Sequence, residues 1–444
     1  MKKSKKKFVL AGLVLLAITM VLLPLSGCKN DTVPPEVEKQ EQEDGGGSET
    51  DKNDTVPETP ETPETPKYLV TFDVGGNREA TAPKPITVES GTTLTAEQVP
   101  ALSDTSSYQF MGWYLGDTEI KAGYTVTEPV TVTARWQGWL TFTAEGEQSL
   151  IIGETGDMQI PDSMEYSTDG GKIWYKPEVG IPISFGNGTK LYLRAKSSIG
   201  TGEFSGVHLV FRFETEVKVA CSGDIRTLVD YTNPTGADTS NARFPKLFVN
   251  CSQLTQAPKL PAEILAEECY YDMFAGCTSL TQAPELPAKA LADFCYHAMF
   301  ARCASLTQAP ELPAKALADN CYYAMFSECT SLTEAPELPA KALADNCYEG
   351  MFYGCTILTE APELPAETLA DMCYWNMFLG CENLSSVTML ATDVSASDAL
   401  YQWLPDTPRE GTLYVANERM TTDPTIIGSV PSLKYWEIAV AATN

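Results

Sequence analysis

Histidine is almost missing from this chain of 444 residues, which contains only His208 and His297. That scarcity thins the supply of general bases and metal ligands. No H-E-x-x-H, P-loop, Ser-His-Asp set or G-x-G-x-x-G between a strand and a helix occurs. Cationic residues are also short: 31 Lys and Arg stand against 59 Asp and Glu, a net charge of −28. With no basic stripe to neutralise phosphates, nucleic acid is excluded as a partner. No C-x-x-C pair appears among the 13 cysteines, and their spacing fits no zinc knuckle. Nothing singles out one pair of carboxylates across a cleft. The expectation is a protein that is not an enzyme, with no catalytic residue, no metal and no cofactor.

The chain starts with a basic head, Lys2, Lys3, Lys5, Lys6 and Lys7, followed by an almost wholly apolar run from Phe8 to Leu25. Such a run is long enough to span a bilayer. It ends in Leu25-Ser26-Gly27-Cys28, which resembles the bacterial lipobox. The resemblance implies cleavage before Cys28 and lipid on its sulfur, so that residues 1–27 are a signal peptide. The membrane is then reached through the lipid anchor alone. Residues 28–66 are rich in Pro, Glu, Gly and Thr and bury too little apolar surface to offset ordering entropy. They read as an extended acidic tether.

Two β modules follow. In residues 67–137, Tyr68–Asp73 alternates as a strand and Gly75-Gly76-Asn77 supplies a turn. Tyr108–Tyr114 and Val130–Trp136 complete a pattern that resembles the Listeria–Bacteroides repeat, which implies a β-grasp-like extracellular module. Trp113 and Trp136 are assigned to its core rather than to a sugar platform. Residues 138–222 hold further short strands and the hairpin Tyr166–Tyr175, whose Asp169-Gly170-Gly171 suits a turn with positive φ. This module resembles the β-sandwich-like unit that precedes repeat arrays in Bacteroides surface proteins.

What dominates the chain is one 26-residue sentence written five times, restarting at Leu254, Leu280, Leu306, Leu332 and Leu358. A fixed period without insertions is the signature of stacked repeats that share one core. In the copy from Leu280, the residues Leu280, Ala283 and Leu286 face inward along an extended segment. Pro284 limits that segment to a very short strand. Ala288, Leu291, Cys295, Ala298 and Met299 follow at near-helical spacing and predict a helix facing the core. Gly276, Gly354 and Gly380 sit where a left-handed cap would end it, a pattern from which Arg302 and Glu328 depart. The F-x-x-C-x-x-L-x-x-A-P-x-L-P line resembles the leucine-rich repeats of the Bacteroides surface protein A type. The chain is therefore read as multidomain: two small all-β modules, then an α/β leucine-rich-repeat solenoid with 26-residue repeats. The solenoid and its N-terminal cap span 223–384, and residues 385–444 form a C-terminal cap.

Eleven of the cysteines fall in two columns, one at Cys251, Cys277, Cys303, Cys329, Cys355 and Cys381, the other at Cys269, Cys295, Cys321, Cys347 and Cys373. Two buried thiol ladders are favoured, with disulfides inside each copy, such as Cys269 to Cys277, as the alternative. Exposed addresses are the candidates for binding. Glu285, Glu311, Glu337 and Glu363 recur in one column, with Glu334 and Glu360 beside them, and Lys289, Lys315 and Lys341 follow at four residues. After each fixed tyrosine stands a variable residue: Tyr271, His297, Tyr323, Glu349 and Trp375. The family resemblance implies a lipoprotein of the outer membrane, exposed on the cell surface. Its expected role is adhesion to host or neighbouring cells, the partner being a host matrix or cell-surface protein. Capture of a glycan for polysaccharide uptake and a structural surface-layer role are the alternatives.

Overall fold

The computed structural model describes residues 64–203, 206–404, 410–430 and 435–442. The signal peptide, Cys28 and all but the end of the tether lie outside the described residues. In the first module the strands are β1 (Lys67–Asp73), β2 (Ile86–Glu89), β3 (Thr92–Thr93), β4 (Tyr108–Leu115), β5 (Thr118–Ile120), β6 (Thr125–Val126) and β7 (Val130–Gly138). Five of them form a sheet in the order β2-β1-β7-β4-β5, with β1 and β7 parallel. Alternation sends Val70, Phe72, Val132, Ala134 and Trp136 to one side, where they meet Trp113 in a separate core. Trp113 and Trp136 are fully buried.

Next come β8 (Leu140–Ala144), β9 (Gln148–Thr155), β10 (Glu165–Ser167), β11 (Ile183–Phe185), β12 (Leu191–Arg194), β13 (His208–Phe213) and β14 (Val219–Ser222). One sheet runs β10-β12-β8-β14, the other β11-β9-β13. The first is extended by β15 (Leu254–Gln256), which pairs in parallel with β14 from inside the first repeat. A single core therefore continues from Leu140 through the repeats to Trp436. Described residues from 64 onward belong to one unit.

Within the repeats the expected α/β solenoid is not what forms. The described residues are nearly all β in their regular structure, 4% helical and 28% strand. Of the predicted stripe, residues 288–292 are irregular, and a run of consecutive turns occupies 293–302. Every fourth residue along it takes a left-handed conformation: Phe294 at φ 56°, Ala298 at 47° and Arg302 at 61°. The same holds for Glu268, Asp272 and Gly276, and for Asn346, Gly350 and Gly354.

Hydrogen bonding explains why. Cys269, Tyr271, Met273, Ala275 and Cys277 donate their N–H groups to carbonyls three residues back. Tyr270, Asp272, Phe274 and Gly276 donate instead to Cys295, His297, Met299 and Ala301 of the next copy. A helix would use every N–H within itself; here alternate groups zip one coil onto the next. Left-handed backbone at non-glycine positions costs roughly 1–2 kcal/mol each, which the between-coil bonds and a buried ladder of side chains offset. On the opposite side the coils touch through isolated parallel bridges, Gln282 to Gln308 to Glu334 and Ala290 to Ala316 to Ala342.

Side chains stack in columns inside the coils. Phe248, Phe274, Phe300, Phe326, Phe352 and Phe378 lie nearly parallel, with centroids 5.4 to 5.9 Å apart. Tyr270, Tyr296, Tyr322, Tyr348 and Tyr374 form a second column, closed by Phe244 at one end and Trp403 at the other. The far end carries β16 (Ser386–Met389), β17 (Gly411–Val415) and β18 (Trp436–Val440) in one parallel sheet. A single short helix, α1 (Pro424–Ser429), is the only α-helix among the described residues. No helix among them is long and apolar enough to cross a membrane.

All twelve described cysteines are free and buried. Cys277, Cys303, Cys329, Cys355 and Cys381 each donate from Sγ to the carbonyl of a phenylalanine 29 residues earlier, at 3.0 to 3.2 Å. Burial pushes the Cys303, Cys321, Cys355 and Cys373 thiols up to about 12. A thiolate is the reactive form, so the folded protein is expected to resist alkylation at neutral pH. Denaturation without reductant should release all twelve to a thiol reagent, and mass spectrometry counts them. Paired cysteines would lower that count.

Candidate binding face

The glutamate columns stand at the surface. Glu285, Glu311, Glu337 and Glu363 are exposed, as are Glu334 and Glu360. Strand-like stacking sets successive members roughly 5 Å apart. At that spacing two unit charges repel by about 1 kcal/mol in water. Lys289, Lys315 and Lys341 follow these glutamates at four residues, but among the described residues no ion pair joins those lysines to a glutamate. Only the first copy differs: Lys259 takes the column's place and binds Glu79 of the first module. Burial acts to raise the Glu79 carboxyl, yet hydrogen bonds from Lys259, Ser107 and Ser106 outweigh it and bring it down to about 2.

A third acidic column was missed from the sequence. Asp293, Asp319, Asp345 and Asp371 are exposed, and each of the first three accepts the backbone N–H of the next at 3.1 to 3.2 Å. Ser397 continues the ladder by donating its N–H to Asp371 at 2.8 Å. The recurring Leu-Ala-Asp of residues 291–293, 317–319, 343–345 and 369–371 was the available signal. These carboxylates hold coils together as well as charge the surface.

The variable column is brought together in part. Tyr271, His297 and Tyr323 stack face to face, with centroids 4.4 Å apart and planes within 10°. Lys246 closes the outer face of Tyr271 at 5.3 Å from its centroid. Glu349 adjoins Tyr323 at the other end and accepts a hydrogen bond from Asn346 at 2.5 Å. Trp375 is separated from this stack and meets Tyr401 edge-on. All four ring residues are half-buried. The faces of Tyr271, His297 and Tyr323 are covered by one another, so the column offers ring edges outward. A sugar packs on ring faces, and this stack leaves it few.

His297 sits mid-stack with its Nδ1 buried and without a hydrogen-bond partner. Burial, with the Lys246 charge in support, lowers its pKa to about 4. Since the unfolded chain binds this proton near 6.5, acid favours unfolding across the interval between the two values. Stability is expected to fall by about 1–3 kcal/mol as pH drops from 7 toward 4, allowing for partial exposure. His297→Phe, which keeps the stack, should remove that component. Urea midpoints at pH 7 and pH 5 check it: equal pH shifts in both proteins would refute the assignment.

His208 lies on β13 and its Nδ1 is 3.1 Å from the Thr155 hydroxyl, with burial lowering its pKa. No group of three or more His, Cys, Asp or Glu among the described residues is placed to hold a metal ion. No protein-family model, curated protein or solved structure matches this chain.

Proposed function

We propose that this chain is a non-enzymatic binding protein of the bacterial cell surface, held on the outer membrane by lipid on Cys28. Its repeat stack presents an acidic face for protein binding and adhesion to host or neighbouring cells. The observation that carries this reading is the registered glutamate ladder, Glu285 to Glu363, to which no ion pair is made among the described residues. Columns of like charge at fixed intervals suit a partner carrying a basic surface, which they would steer and orient. Ring edges and tyrosine hydroxyls along Tyr271, His297 and Tyr323 suit a protein contact better than a sugar platform.

Pull-down from host matrix and cell-surface extracts, with mass spectrometry of what is retained, identifies the partner. Glu311→Lys with Glu337→Lys is expected to weaken its capture at least tenfold and to reduce the salt dependence of binding. Undiminished capture by the folded double variant would overturn the reading. Protease shaving of intact cells tests surface exposure separately: release of repeat peptides is expected, and full protection would place the protein facing inward.

A further inference from the structure

The two tryptophans weighed as sugar platforms, Trp113 and Trp136, lie in a core. Two others do not. Trp139 follows β7 by one residue and so points away from the side that buries Trp136 and Leu140. It shares a sheet face with Thr141 and, by strand pairing, with Tyr192 and Arg194 of β12. The hairpin tip at Gly170-Gly171 carries Trp174 to the same place, and the two indoles stand 5.9 Å apart at 56°. Both are half-buried. An open cleft of about 410 Å³ lies over them, walled by Asp104, Gln109 and Gln137 from the first module. That volume falls in the range of small-molecule sites, roughly 300–1,000 Å³.

The rings are held rigidly. The Arg194 guanidinium lies 3.6 Å from the centroid of Trp174 and 4.2 Å from that of Tyr231. Its charge is met by Glu165, which accepts two bonds at 2.8 and 3.0 Å. Asp169 ties the hairpin by accepting from Ser167, Lys172 and Ile173, and the Trp174 indole N–H donates to the Gly171 carbonyl. Tyr192 meets Trp139 edge-on at 5.9 Å. A ring fixed from several sides yet left partly in solvent is pre-organised for a ligand.

We infer that this seam cleft binds a neutral saccharide. Partly exposed indoles offer apolar surface to the C–H groups of a sugar ring. Around them stand groups that both give and take hydrogen bonds. Gln137 donates to Gln109 at 2.5 Å, which leaves the Gln109 amide nitrogen and the Gln137 amide oxygen for a ligand. Asp104 accepts the Phe110 N–H through one oxygen and keeps the other. Arg194 is neutralised and Asp104 is anionic, in a chain of net charge −28, so an acidic saccharide is repelled. The site is separate from the glutamate ladder and does not depend on the adhesion reading.

The test is isothermal titration of the full chain with short neutral oligosaccharides of the gluco, manno, xylo and galacto series, beside polygalacturonate as an acidic control. At least one neutral series is expected to bind. Trp174→Ala and Trp139→Ala should each weaken that binding about tenfold or more. Gln109→Ala, at an exposed position that cannot disturb the core, should weaken it severalfold, which keeps the test valid if a tryptophan variant misfolds. Glu311→Lys with Glu337→Lys should leave it unchanged. Absence of binding to every neutral series, preference for polygalacturonate, or binding that survives both Trp174→Ala and Gln109→Ala overturns the inference. So does loss of sugar binding in the glutamate double variant, which would place the ligand on the repeats.

Discussion

Arg226→Ala is expected to destabilise the protein by on the order of 3–5 kcal/mol, because it strands a buried carboxylate. Asp224 is fully buried, and its Oδ2 accepts from Arg226 Nε and Nη2 at 2.9 and 2.8 Å. The same oxygen takes the Tyr108 hydroxyl, which arrives from β4 of the first module. Burial and then the Asp224 charge hold the Tyr108 phenol well above its ordinary range, so it remains a donor. Arg226 also donates to the Thr235 carbonyl at 3.3 Å. The cluster thus joins the first module to the start of the repeats, and its loss should loosen that seam first. Hydrogen exchange of β4 and β7 amides, set beside the urea midpoint, reads both effects. Tyr108→Phe should cost less, since it removes a donor and leaves the Arg226–Asp224 pair intact. If Arg226→Ala shifts the midpoint no more than Tyr108→Phe does, the cluster does not carry the seam.

The second large effect belongs to the middle of the stack. Phe326→Ala is expected to cost about 3–5 kcal/mol. Phe326 is fully buried, with Phe300 at 5.8 Å and Phe352 at 5.9 Å on its two faces. Its carbonyl also receives the Cys355 thiol at 3.1 Å. Neighbouring coils are zipped by backbone bonds on either side and cannot slide inward to fill the space. Phe326→Leu should recover roughly half of the loss by refilling part of the cavity. Thermal melts followed by tyrosine and far-ultraviolet dichroism measure both variants. A melting point for Phe326→Ala within a degree or two of the parent would show that the coils relax around a void, contrary to this account.

How far the fold was legible follows from these same residues. In the first module, Tyr68–Asp73 and Val130–Trp136 alternate cleanly, and strands lie at Lys67–Asp73 and Val130–Gly138. In the repeats, Ala288, Leu291, Cys295, Ala298 and Met299 carry a spacing that a helix and a chain of four-residue turns share. The two differ in where backbone N–H groups go, which side-chain pattern does not report. A weaker signal was present: Asn320, Asn346, Asn376, Gly350 and Gly380 mark every-fourth positions with residues that tolerate positive φ. Gly276, Gly354 and Gly380 read as a left-handed helix cap, and Arg302 and Glu328, which lack glycine there, adopt the same left-handed conformation at 61° and 58°.

The candidate site divides in the same way. Exposure of the glutamate column followed from charge at a fixed address. That Tyr271, His297 and Tyr323 would cover each other's faces depends on a lateral distance that sequence does not encode. Trp139, between β7 and β8, and Trp174, in the hairpin after β10, are 35 positions apart, and the pairing of β8 with β12 and of β12 with β10 brings them to one cleft.

The alternation of local and between-coil N–H donors has one more consequence. Each between-coil donor, such as Tyr270, Tyr296, Tyr322 and Tyr348, finds its carbonyl 25 residues further on, whichever copy it belongs to. A coil taken out of the middle, or another put in, leaves the bonding of both ends unchanged and alters only the distance between them, by roughly 5 Å per copy. Length is therefore a free parameter of this molecule. The end pieces built on Phe244 and Trp403 act as the jaws of a caliper, and the copy number sets the gap.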